Sequence, residues 1–155
     1  MDPRRTDAHV RERRRAGRRA GTRSFERWIA VMVGGMLGAL ARWSVGVALG
    51  PGSTSFPWGT LVVNLTGAFG LGFAIVLMTE RLRPSRYLRP LIGVGFFGAY
   101  TTFSTTAVEG VRLIDAGRSQ VAIAYWVVTL VVGQAAGVYG MWLGRVRLGS
   151  AKEAT

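Results

Sequence analysis

Apolar residues fall into four blocks, Ile29 to Leu49, Gly59 to Met78, Leu91 to Ile114 and Val121 to Leu143, separated by short polar stretches. Each block is close to the ~20 residues that a helix needs to cross a hydrocarbon core. The pattern predicts an all-α membrane protein with transmembrane helices at about 29–49, 59–79, 91–114 and 121–144. Trp28 and Trp58 stand at the starts of the first two, where an amphipathic ring suits the membrane interface. The third block is irregular: from Gly93 to Thr106 it reads GVGFFGAYTTFSTT, three glycines followed by a run of hydroxyls. Those residues weaken a regular helix and can re-satisfy the backbone groups it frees. Non-helical backbone at membrane depth survives only where protein or a wet cavity covers it, so the third helix is expected to be broken and to carry the function.

Polar positions inside the blocks are few enough to read singly. Gly34 and Gly38 give the first helix a small-residue face for close packing, and Arg42 then sits deep, either serving the interior or snorkelling to the interface. In the second helix Asn64 must find a partner, because its amide offers donors and an acceptor. It is expected either to brace a neighbouring helix or to face a permeating solute. Thr60 and Thr66 add hydroxyls, and Gly67, Gly70 and Gly72 admit another backbone. Glu109, a lone carboxylate, reads either as a proton-coupling site or, with Arg112 three residues later, as half of an interfacial ion pair, the favoured reading. The fourth helix holds Tyr125, Thr129 and Gln134 beside a stripe of Gly133, Gly137, Gly140 and Gly144.

Composition sharpens this picture. The 155 residues include no cysteine, 22 glycines and 49% hydrophobic residues, with a net charge of +12, which leaves no room for a separate soluble domain. Disulfides and thiol chemistry are excluded, and the one histidine, His9, lies outside the apolar blocks, so no imidazole metal site and no enzymatic acid–base chemistry is expected. Residues 1–27 form an arm with ten arginines against four acidic residues, expected to be disordered, cytoplasmic and drawn to anionic lipid. No aromatic platform accompanies that charge, so nucleic acid is not expected as a partner. Residues 28–145 make the four-helix domain and 146–155 a polar tail. The arm, the loop from Glu80 to Pro90 and the tail share one side and nearly all the basic residues, which places both termini inside the cell.

GGMLGALAR in the first helix, GTLVVNLTGAFGLG in the second and GVGFFGAYTTFST in the third resemble the signature blocks of the Fluc or CrcB fluoride channels, over about Ile29 to Arg145. The resemblance implies a four-helix subunit of an antiparallel, dual-topology dimer in the cell membrane that lets fluoride leave the cytoplasm passively. It further implies a structural, non-transported sodium ion at the dimer centre, bound by the backbone carbonyls of Gly98 and Thr101. Asn64 and Phe103 match the pore asparagine and first pore phenylalanine, and Thr60, Thr102, Ser104, Tyr125 and Thr129 fall on the polar track. Arg42 matches a first-helix arginine, expected to be structural. Phe96 and Phe97 read as packing.

Two departures bear on assembly. Thr106 stands where homodimeric relatives usually carry a second phenylalanine, and the charge bias disfavours insertion in both orientations. Together they suggest a heterodimer with a paralogous subunit of opposite topology. A small proton-coupled multidrug-type exporter is the alternative four-helix, dimeric reading. It requires a membrane-embedded carboxylate, which the first helix lacks.

Overall fold

In the computed structural model, residues 3–49, 56–82 and 85–149 are described, with side chains for 24–49, 56–80, 82 and 85–147. Helix α1 spans Pro3–Ala48 and α2 spans Trp58–Val76, continued by a π-helical turn at Leu77–Arg81. A π-helical stretch at Arg89–Phe97 leads into α3, the short turn Gly98–Tyr100. Helices α4 (Phe103–Asp115) and α5 (Ser119–Gly149) complete the chain. Four helical segments are long and apolar enough to cross a membrane: Ser24–Ala48, Trp58–Glu80, Arg89–Asp115 and Ser119–Arg147. The protein is a multi-pass, all-α membrane protein, and among the described residues there is no strand.

The arginine-rich arm, expected to be disordered, continues α1 back to Pro3. Extending an existing helix needs no new nucleus, and arginine and alanine are good helix formers. Most of the expected loop from Gly50 to Pro57, and the tail beyond Gly149, lie outside the described residues.

The small-residue faces act as the sequence suggests. Gly34 and Gly38 lie against the backbone carbonyls of Leu91 and Phe96, and Gly95 faces the α1 backbone at Val31 and Gly34, so α1 and the Arg89–Phe97 stretch meet backbone to backbone. Gly72 meets Gly137, Gly140 meets Phe69, and Gly144 meets Val76, which seats α2 along α5. Gly133 sits more loosely, beside Leu65.

The third span is broken at one point. Thr101 (φ −76°, ψ 156°) and Thr102 (φ −148°, ψ 123°) are extended between α3 and α4. The three glycines before them remain helical, Gly93 and Gly95 in the wider winding and Gly98 in α3, so Gly95 permits close packing and the threonines carry the break. Its two halves then face different neighbours: Arg89–Tyr100 packs on α1, while α4 packs on α5. The α4–α5 corner turns on Gly117 at φ 73°, left-handed backbone that favours glycine. Leu61, Leu113, Ala122 and Tyr125 form the core between α2, α4 and α5, with the Phe56 ring edge-on to Tyr125 at 5.5 Å.

Candidate pore site

The break is held by one amide. Asn64 Oδ1 accepts from the Thr102 N–H at 2.8 Å, and Asn64 Nδ2 donates to the Thr102 carbonyl at 3.0 Å and to Thr106 Oγ1 at 2.9 Å. The side chain thus pairs with Thr102 as a neighbouring strand would, satisfying buried backbone that no helix serves. Gly67 leaves the space in which the Thr101 methyl and the Tyr100 ring lie against α2. This geometry realises the brace expected of Asn64, and the residue also lines the cavity beside the break.

Local hydroxyls finish the turn. Thr102 is the N-cap of α4, its Oγ1 accepting from the Thr105 N–H at 3.2 Å and contacting the hydroxyls of Thr105 at 2.9 Å and Ser104 at 3.3 Å. Thr106 Oγ1 donates to the Thr102 carbonyl at 3.0 Å. These bonds divert two N–H groups from their helical acceptors. The Thr102 N–H, four residues after Gly98, goes to Asn64, and the Thr105 N–H, four residues after Thr101, goes to the Thr102 side chain. The carbonyls of Gly98 and Thr101 thereby lose their usual i+4 donors, and two neutral oxygens suit a hard monovalent cation. Among the described residues no three His, Asp or Glu side chains come together as a metal site.

A cavity of about 630 Å³ opens on the α4 side of the break. Asn64 and Ala68 of α2 line it, with Thr101 to Phe103, Thr106 and Ala107, and then Trp126, Thr129, Leu130, Gly133 and Gln134 of α5. Phe103 is 81% exposed and turned out of the subunit's own packing. No lining residue is ionisable, so what the wall offers is hydroxyls, amides and ring edges. The Thr129 hydroxyl donates to the Tyr125 carbonyl at 2.7 Å, leaving its lone pairs and the Gln134 amide among the cavity's polar groups.

Thr60 and Tyr125 belong to an adjoining cluster. Thr60 Oγ1 and the Tyr125 hydroxyl each donate at 2.8 Å to one oxygen of Glu109. This corrects the ion pair expected from the Glu109–Arg112 spacing: the carboxylate turns inward to two hydroxyl donors and Arg112 is exposed. Arg42 is half-buried on α1 and is not a cavity residue. Phe96 and Phe97 pack as read, edge-on to each other at 5.1 Å, with Phe96 stacked on Tyr100 and the Phe97 ring against Gly70.

Trp126 was missed in the sequence, and the inward turn of Glu109 was not foreseen there. A tryptophan in an apolar helix gives no signal apart from an interface anchor, and the hydroxyl partners of Glu109 lie 49 and 16 positions away.

Comparison with known proteins agrees with this architecture. Residues 29–141 match the family described as CrcB-like protein, Camphor Resistance (CrcB). The chain is 42% identical over 116 residues to the fluoride-specific ion channel FluC of Saccharophagus degradans, covering 75% of this chain and 87% of that one. It is 44% identical over 104 residues to fluoride-specific ion channel FluC 1 of Mycobacterium tuberculosis, covering 67% and 79%. With FluC of a Hydrogenobaculum species it shares 42% identity over 117 residues, covering 76% and 96%. A four-helix membrane chain whose broken third span lies inside the matched region, with relatives this similar along most of their own length, is a member of the CrcB family.

Proposed function

We propose that this chain is a subunit of a fluoride-selective channel that lets fluoride leave the cytoplasm passively. The observation that carries the reading is the uncharged cavity beside the break, where Phe103 stands among the hydroxyls of Thr102, Thr106 and Thr129. With the Thr106 and Thr129 hydroxyls donated to backbone carbonyls, the Gln134 amide and positive ring edges can replace part of an anion's hydration shell without holding it as tightly as a fixed cation would. The names of the relatives supply the anion. The site track is then Asn64, Phe103, Thr102, Ser104 and Thr129, with Thr60 and Tyr125 at its Glu109 end, and Arg42 structural.

In this reading two copies of the fold meet as an antiparallel dimer. Gly98 and Thr101 would supply carbonyl oxygens to a structural sodium at its two-fold axis, in keeping with the helical donors those carbonyls lose. The bias of basic residues argues for both termini inside, and hence for a paralogous partner of opposite topology. The arm and the basic loop face anionic lipid on that side.

The test is growth of a bacterium stripped of its own fluoride exporters. Expression of this chain with its paralogous partner should restore growth in fluoride, and failure to restore it would count against the channel. The proton-coupled exporter gains one observation, the inward-facing Glu109. It predicts drug export that collapses with the proton gradient, whereas fluoride efflux through a passive channel continues without one.

A further inference from the structure

Trp126 packs against the core and lines the cavity as well. On α5 it shares a face with Thr129, Leu130 and Gly133, all cavity residues at helical spacing, while its neighbour Tyr125 is fully buried. The indole Nε1 donates to the Thr106 carbonyl of α4 at 3.2 Å. The Nε1, Cε2 and Cζ2 atoms lie directly over Gly110, in space that any β-carbon there would claim. One edge of the ring is therefore committed to α4, at a place kept open by a glycine. The polar group is spent inward, the half-buried residue also packs against the core of Leu61, Leu113, Ala122 and Tyr125, and it lines the cavity wall that holds Phe103.

Resting on the channel reading above, we propose that Trp126 is a selectivity residue of the anion path. Its six-membered ring presents a carbon-bound hydrogen edge, the positive side of the aromatic quadrupole, to a partly dehydrated fluoride passing Phe103. The bond to Thr106 and the seat on Gly110 fix the ring's orientation, so the edge is set before the ion arrives.

Fluoride and chloride efflux from liposomes, measured for the full chain in whichever assembly conducts, tests this with Trp126→Phe, Trp126→Leu and Trp126→Met. The phenylalanine variant keeps a ring edge and should hold fluoride flux within about threefold of the parent. The leucine variant, eluting as the parent assembly, should lose about tenfold in fluoride flux. Methionine, a larger flexible apolar side chain, should behave like leucine. A leucine or methionine variant that assembles and conducts like the parent overturns the proposal. So does a phenylalanine variant as poor as leucine, which would assign the effect to the bond with Thr106. Loss of assembly in both apolar variants would make the ring a packing element and equally overturn it. A parent protein without fluoride flux, alone or with its paralogue, refutes the channel reading itself, a result distinct from any of these.

Discussion

Asn64 and Phe103 show how two residues of one site can fail in opposite ways. Replacing Asn64 by leucine keeps the volume but strands the Thr102 N–H, while the Thr102 carbonyl keeps its bond from Thr106, and one buried unpaired group costs about 1–3 kcal/mol. Asn64→Leu should therefore lower thermal stability as well as flux. Phe103 touches little of its own subunit, so Phe103→Ile should abolish fluoride flux while leaving the melting curve and elution volume of the assembly unchanged. Undiminished flux in Phe103→Ile would remove it from the path. Both residues were legible in the sequence, Asn64 because an amide in an apolar span demands a partner, and Phe103 because it sits among five hydroxyl residues. Glu109 was misread because spacing on one helix suggested Arg112, whereas its partners come from α2 and α5. Trp126 was missed because its reason for being there is Gly110, sixteen positions earlier and brought close only by folding.

Among the elements, the four spans and their glycine faces could be read from periodicity, since apolar length and small-residue spacing are local properties. What could not be read was the division of labour inside Gly93 to Thr106. The glycines looked like the break itself, yet they stay helical and Gly95 brings α1 close, while the chain opens at Thr101 and Thr102, where Asn64 gives the Thr102 backbone other partners. Gly38 lies against the Phe96 carbonyl with no room for a methyl, whereas Gly46, on the same helix, has nothing within 4 Å. Gly38→Ala should cost about 1–3 kcal/mol by overpacking. Gly46→Ala should be neutral or add up to about 1 kcal/mol of helix propensity. Thermal melting in detergent checks both, and equal melting temperatures would contradict the backbone contact. At the break, exchanging sodium for an organic cation such as N-methylglucamine during purification should shift the assembly towards monomer on size exclusion. An unchanged elution profile would take the ion away from Gly98 and Thr101.

For the whole molecule, charge decides what fold alone cannot. A basic arm, loop and tail on one side should insert every copy the same way. Because the chain has no cysteine, single introduced thiols can report its orientation. Ser119→Cys, in the exposed corner between α4 and α5, should be labelled in intact cells by a membrane-impermeant reagent, and Arg86→Cys, in the basic loop, should not. Equal labelling of both would show dual topology and restore the homodimer. The most direct test of the central claim is fluoride efflux from liposomes, followed with a fluoride electrode against chloride as control. The purified chain would be reconstituted alone and with its co-expressed paralogue. Rapid loss of fluoride and retention of chloride from the paired sample, with little flux from the chain alone, is the predicted result. Full flux from the chain alone would contradict the heterodimer, and no fluoride flux from either sample, or equal passage of chloride, would contradict the channel.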